Sequence, residues 1–251
     1  MTAALSWWAW TETVLCTILG TPIVALIWLV TRPFDPGVYA AGRAFRLVAV
    51  TATLLNPLWR FRVLGASRIG NPRRPYVVVA NHESYADVFL ISRFPWEMKW
   101  LSKATFFRIP CLGWMMQMAG DVKLVRGNRD STLDAVEACR DRLRKRTSVM
   151  IFPEGTRSKT RDLLPFKDGA FRLAIEMQTA ILPIAVAGTR TCMAKGSFQF
   201  RPARAVAEAL DPVDTSGLTL ADLPALKDRV RTLIDDARHR LAREHDLVLL
   251  T

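Results

Sequence analysis

Cysteine is scarce in this chain of 251 residues, with four in all: Cys16, Cys111, Cys139 and Cys192. They form no CxxC and no Cys/His cluster, which argues against a structural zinc site. Scattered single thiols suit a reducing compartment and pack as small apolar side chains. Glycine and proline are modest, at 13 and 14, so collagen-like and low-complexity architectures are excluded. Acidic residues are in deficit, 23 against 35 Lys plus Arg, for a net charge of +12. Such a deficit implies an anionic partner: nucleic acid, an acidic membrane or a phosphorylated substrate. The basic residues are dispersed and no nucleic-acid recognition motif is present, so nucleic acid ranks last. Half of the residues are apolar, enough to bury a core and to exclude wholesale disorder.

The apolar residues are concentrated in residues 1–60. An uncharged run extends from Thr13 to Thr31, bounded by Glu12 and Arg32. As a helix it would be roughly 28 Å long, close to the thickness of a hydrocarbon core. Pro22 lies inside the run and is expected to bend it. Trp7, Trp8 and Trp10 precede it and Trp28 lies near its end, as interfacial aromatics do. A second uncharged run, Leu47 to Trp59, is too short for a comfortable span. Arg43 and Arg46 precede that run and Arg60 and Arg62 follow it, where they are expected to meet anionic headgroups. Pro33, Asp35, Pro36 and Gly37 make a turn between the two segments. The expected unit is a two-helix membrane motif dipping into one leaflet or forming a tight hairpin. A single span is its main rival. A cleaved signal peptide is disfavoured because no Lys or Arg precedes the run. The arginines lie C-terminal to it, so the positive-inside rule places the remainder, residues 61–251, on the cytoplasmic side.

From about residue 61 the pattern becomes that of an α/β domain. Tyr76–Ala80, Ser148–Phe152 and Ala180–Ala187 read as short buried strands, the last interrupted by Pro183. Helices are expected from the turn at Asn81 to Ile91, from a capping box of Ser131 with Asp134 to Arg146, over Asp168–Gln178 and over Leu223–His245. Alternating strands and helices predict a mostly parallel sheet flanked by helices.

Of three histidines, His239 and His245 fall on a charged helix. His82 instead follows a buried strand directly, where ligands bind in open α/β sheets. Asp87 follows it by about one helical turn, so its carboxylate can fold back to one ring nitrogen and leave the other free as a base. A bare HxxxxD also fits a plain helix cap beside a packed histidine. Two further features favour chemistry. Phe152-Pro153-Glu154-Gly155-Thr156-Arg157-Ser158 follows another buried strand, and its backbone N–H groups, Thr156 hydroxyl and Arg157 fork can converge on a phosphate. Lys103, Arg126 and Lys167 stand at loop positions from which they can line an anionic pocket.

Together these motifs resemble the glycerolipid acyltransferase family of 1-acylglycerol-3-phosphate acyltransferases. Asn81-His82 with Asp87 is similar to that family's NHxxxxD, and Phe152–Ser158 matches its FPEGTRS unchanged. Gly120 to Arg126 resembles the second motif, GxxFIxR, with Lys123 in place of phenylalanine. Leu182-Pro183-Ile184-Ala185 is similar to the loose fourth motif. Lys103 with Pro110 and Gly113, and Lys167 with Gly169, match further family positions. The resemblance covers roughly residues 60–210, and the hydrophobic two-helix N-terminus is similar to bacterial members. It implies an O-acyltransferase that passes a fatty acyl chain from acyl-CoA or acyl carrier protein to the free hydroxyl of 1-acylglycerol 3-phosphate, giving phosphatidate. His82 would be the general base and Asp87 its orienter, with direct attack by the acceptor and no nucleophilic role for Ser84. Glu154, Gly155, Thr156 and Arg157 would hold the glycerol phosphate, assisted by Arg126, Lys103 and Lys167. No metal or redox cofactor is implied. The implied location is the inner (cytoplasmic) membrane. Other acceptors for the same chemistry are a lyso-ornithine lipid, another lysophospholipid or glycerol 3-phosphate.

Overall fold

The computed structural model describes residues 2–158, 160–193 and 197–247. Helix α1 (Thr2–Thr31) runs unbroken through Pro22, where the sequence leads one to expect a bend. Its threonines are accommodated because Thr13, Thr17, Thr21 and Thr31 each donate their hydroxyl to the carbonyl one turn back, which hides the polar group in the helix itself. The stretch Ala4–Thr31 is long and apolar enough to cross a membrane. Leu15, Ile18, Leu19, Ile23, Leu26 and Leu29 on it are exposed. Helix α2 (Tyr39–Leu55) folds back along α1. Gly20 lies against Val48 midway, and the Trp8 indole donates to the Leu55 carbonyl at 3.4 Å.

Helix α2 takes up the second uncharged run only as far as Leu55 and starts well before it. It begins at Tyr39 and so takes in Arg43 and Arg46. These two arginines do not face headgroups. Arg43 donates to the Ser92 and Phe94 carbonyls at 3.3 and 2.8 Å, and Arg46 is buried against Asp121 and Glu97. Their partners lie far along the chain, which is why a local reading placed them in a lipid flank. The run ends in strand β1 (Trp59–Leu64), whose first residues alternate buried and exposed. Residues 1–60 therefore already contain the start of the sheet, and Arg60 and Arg62 are exposed on β1.

The remaining elements are β2 (Val77–Ala80), α3 (Ala86–Ile91), β3 (Met98–Lys103), α4 (Leu112–Met118), β4 (Val122–Leu124), α5 (Arg129–Arg144), β5 (Ser148–Ile151), α6 (Gly169–Glu176), β6 (Ile181–Ala187), β7 (Ala203–Ala209) and α7 (Leu223–Glu244). The seven strands form one sheet in the order β1-β7-β6-β2-β5-β3-β4. All neighbours are parallel except β6 and β7, so the sheet is mostly parallel as expected. Alternate strand residues feed opposite faces. Val78, Ala80, Leu182, Ile184 and Val186 pack with Leu90 and Ile91 of α3 and with Ala9 of α1. Val77, Val79, Ile181, Ala185 and Ala187 pack against α5, α6 and α7 through Cys139, Phe171, Val230 and Ile234. Both faces are covered, which accounts for the unbroken apolar runs in β2 and β6.

Two local expectations shift. Helix α5 is capped by Asn128, whose side chain accepts from the Ser131 N–H at 2.8 Å. Ser131 is thus inside the first turn, and its hydroxyl accepts from Val125 N–H instead. Pro183 does not interrupt β6. It lies where the antiparallel ladder with β7 ends, and its carbonyl still accepts from Leu210 N–H at 2.9 Å.

Candidate active site

The carboxyl ends of β6, β2, β5, β3 and β4 line one edge of the sheet in that order. Strand β2 leaves this edge through Asn81, whose side chain clamps Val186 of β6 by two bonds of 2.9 and 2.8 Å. This fixes the direction in which His82 emerges. The chain then turns into α3, and Asp87 in its first turn folds back. Asp87 Oδ2 accepts from the Glu83 and Ser84 N–H groups at 2.7 and 3.0 Å and meets His82 Nδ1 at 2.8 Å. Asp87 therefore both ties down the turn that precedes α3 and holds the imidazole. With the carboxylate on Nδ1–H, Nε2 keeps its lone pair. The imidazole lies on Phe152, ring centroids 4.0 Å apart and planes at 17°, so its orientation is fixed on a second side.

The Phe152–Ser158 loop docks directly on this turn. Ser158 N–H donates to the His82 carbonyl at 3.0 Å. Glu154 is buried, with Oε1 accepting from His82 N–H at 2.8 Å and Oε2 from Leu164 N–H at 2.9 Å. Both oxygens are thus spent on backbone. Glu154 ties two loops together, so its carboxylate is not left to face a ligand as the motif suggested. Burial pushes its carboxyl up, and the two backbone bonds oppose that. Gly155 has φ +69, and a Cβ there would lie 2.8 Å from Lys167 Nζ, so the glycine lets that ammonium approach the loop. Thr156 is exposed. The Arg157 guanidinium lies 3.9 Å over the Tyr85 ring, which brings it against the His82–Asp87 turn.

Lys103 and Arg126 are less close. Lys103 ends β3, paired with Leu124, and Arg126 follows β4. At about 5 Å per strand they stand roughly 10 and 15 Å along the edge from β2. Both are exposed, on the same edge but outside the cluster around His82. Gly113 is explained by space, since a Cβ would lie 2.3 Å from the Phe107 carbonyl.

Three residues near the site escaped the sequence reading: Glu83, Tyr85 and Thr189. Glu83 is buried, and its carboxyl is raised to about 7 by burial and then by the Asp87 charge, with Arg190 and Arg238 opposing. Thr189 is fully buried and hydrogen-bonds Asp87 Oδ1. The position of Thr189, just past the end of a strand adjacent to β2, was the available signal.

An imidazole with one nitrogen held by a carboxylate, at the carboxyl edge of a covered sheet, is suited to activating a hydroxyl for group transfer. Residues 60–187 match the Acyltransferase family, and the chain belongs to this family, that of the 1-acylglycerol-3-phosphate acyltransferases. It is 36% identical over 160 residues to a 1-acyl-sn-glycerol-3-phosphate acyltransferase of Chlamydomonas reinhardtii, covering 62% of this chain and 48% of that protein. It is 35% identical over 181 residues to a chloroplastic one of Arabidopsis thaliana, covering 72% and 48%. The alpha form of Homo sapiens is 34% identical over 174 residues, 68% of this chain and 61% of the relative. The chain spans about half the length of the first two of these relatives. In fold it is similar to the crystal structure of the 1-acyl-sn-glycerophosphate acyltransferase of Thermotoga maritima, with TM-score 0.80, 23% identity, and 96% and 95% of the two chains covered.

Proposed function

We propose that this chain transfers a fatty acyl group from a thioester to the free hydroxyl of 1-acylglycerol 3-phosphate, giving phosphatidate. The observation that carries the reading is the 2.8 Å bond from Asp87 to His82 Nδ1, with the Phe152–Ser158 loop docked on the same turn. His82 Nε2 takes the proton of the acceptor hydroxyl as its oxygen attacks the thioester carbon. The tetrahedral intermediate collapses by breaking the C–S bond, and the imidazolium returns the proton to the leaving thiolate. No acyl-enzyme is needed. The acceptor phosphate is held by Arg157, the Thr156 hydroxyl, the Gly155 backbone and Lys167, while Lys103 and Arg126 farther along the edge serve the anionic donor, acyl-CoA or acyl carrier protein. Resident metal or redox cofactors have no part in this reaction.

Helices α1 and α2 serve as the membrane motif, and the chain from β1 onward as the catalytic domain. The exposed apolar side of α1 supports a place in one leaflet, on the cytoplasmic side of the inner membrane. Arg32, whose guanidinium lies 4.9 Å from the Trp28 ring, and Arg60 and Arg62 meet anionic headgroups there.

The test supplies purified full-length protein in detergent micelles with labelled acyl-CoA or acyl carrier protein and a panel of lysolipids. Acylation of lysophosphatidate is expected. Transfer to no acceptor overturns the enzymatic reading, and transfer only to a phosphate-free acceptor overturns the substrate.

A further inference from the structure

Asp87 has two carboxylate oxygens, and only Oδ2 is engaged by the His82 turn. The other, Oδ1, points to the Thr189 hydroxyl. Thr189 Oγ1 also lies 3.4 Å from Glu83 Oε2. Thr189, Asp87 and Glu83 are all buried, and the first two have no exposed surface at all. Thr189 is delivered there by Gly188, whose φ of +91 turns the chain at the end of β6.

We propose that Glu83 and Thr189 are positioning residues, forming with Asp87 and His82 one buried line of hydrogen bonds that fixes the base. The claim rests on the reading of His82 as the base. A hydroxyl carries a single proton. If Thr189 gives it to Asp87 Oδ1, its oxygen is left to accept, and the partner on that side is Glu83. Glu83 must then carry a proton of its own. The surroundings favour that: burial first and the Asp87 charge second push its carboxyl up to about 7, against Arg190 and Arg238 and a backbone bond from Arg190. Among the described residues those are the charged groups that face it, from α3, from the turn after β6 and from α7, and the buried Cys192 thiol beyond that turn is held neutral by burial and by the Asp87 and Glu83 charges. In this state the order is Glu83 O–H to Thr189 Oγ1, Thr189 O–H to Asp87 Oδ1, and His82 Nδ1–H to Asp87 Oδ2. Above neutrality Glu83 loses its proton. Thr189 then faces two carboxylates with one hydrogen to give, and Asp87 loses part of its hold. Activity is thereby limited at high pH by Glu83.

The test uses the full chain in detergent micelles with labelled acyl-CoA and lysophosphatidate, and compares Thr189→Val, Thr189→Ser and Glu83→Gln. Thr189→Val is expected to lower kcat about tenfold with KM changed less than about twofold, and Thr189→Ser to restore most of the loss. Glu83→Gln, which cannot ionise, is expected to remove the decline of kcat above neutrality. A second readout needs no turnover: the downfield Nδ1–H proton resonance of His82. It is expected in the wild type and in Thr189→Ser and to broaden away in Thr189→Val. Thr189→Val with wild-type kcat and an unchanged resonance overturns the proposal, as does a Thr189→Ser variant no better than Thr189→Val. If Thr189→Val does not fold, a Glu83→Gln profile that still declines above neutrality overturns it. A wild type without acyl transfer whose resonance responds as expected would remove the acyltransferase reading and leave the hydrogen-bonded line standing.

Discussion

Arg46 on α2 and Asp121 at the foot of β4 form an ion pair with both side chains buried. Asp121 Oδ1 also accepts from Trp100 N–H at 2.9 Å, and Glu97 and Lys99 of the neighbouring segment lie 3.2 Å apart in the same cluster. Burial pushes the Glu97 carboxyl up and the Lys99 ammonium down, each opposed by the other's charge. Two positive and two negative groups thus fasten the second N-terminal helix to the sheet. Arg46→Met would leave two buried carboxylates facing Lys99 alone, at a cost of about 3–5 kcal/mol. Chemical denaturation in micelles should show the midpoint fall. An unchanged midpoint would mean that the cluster does not hold α2.

His82→Ala is expected to lower the rate of acyl transfer by at least about a hundredfold, the usual worth of a general base. Asp87→Asn should also be impaired, because the amide cannot support an imidazolium. Initial rates with saturating donor measure both, and a His82→Ala enzyme at wild-type rate would exclude the base assignment.

Arg157→Lys replaces a planar fork with a point charge and removes the stack on Tyr85. The KM for a phosphate-bearing acceptor should rise roughly tenfold or more, with a smaller change in kcat. Tyr85→Ala should reproduce only a few-fold of that rise, since a cation–π contact contributes about 0.5–1 kcal/mol at an accessible site. Equal KM for all three enzymes would place the phosphate elsewhere.

Glu83 ionises near 4.5 when unfolded and at about 7 in the folded chain, raised by burial and by Asp87. The folded state therefore holds its proton longer. The stability associated with this group is complete below pH 4.5 and is lost as pH rises to about 7, in total about 3 kcal/mol. Glu83→Gln should remove that dependence, so its Tm should exceed the wild type's more at about pH 8 than at about pH 5. A gap independent of pH would show that Glu83 is not the group titrating.

A charge on the exposed side of α1 tests the membrane placement. Leu19→Arg or Leu26→Arg should cut the fraction that floats with lipid vesicles, since an arginine at a helix centre costs about 2.5–3.5 kcal/mol in lipid. Arg60→Gln with Arg62→Gln should instead weaken binding to anionic vesicles and leave neutral ones unaffected. Flotation unaltered by either pair would mean that α1 and β1 do not touch lipid.

The strands legible in the sequence, β2, β5 and β6, are β-branched or apolar runs buried on both faces. The site was legible for the same reason, since His82 and Phe152 each follow such a run. The strands that were missed carry contrary signals. Strand β3, MKWLSK, contains a lysine buried with Glu97. Strand β7, ARAVAEA, is rich in residues that favour helices. Strand β1 continued an apolar run that read as membrane helix. Arg43, Arg46 and Glu154 were recognised as important charges and assigned the wrong surroundings, because the groups that engage them are distant in sequence.

Among the described residues β1 pairs with β7 alone, Trp59 opposite Ala203 and Leu64 opposite Glu208. The two are separated by about 140 residues of chain. At about 5–20 residues per second of synthesis, β1 waits on the order of ten seconds or more for its partner. Meanwhile Trp59 and Phe61 present an unpaired, aromatic sheet edge. The helices α1 and α2 have left the ribosome by then. Closure of the sheet at β1 therefore waits until the last strand in the chain has been made.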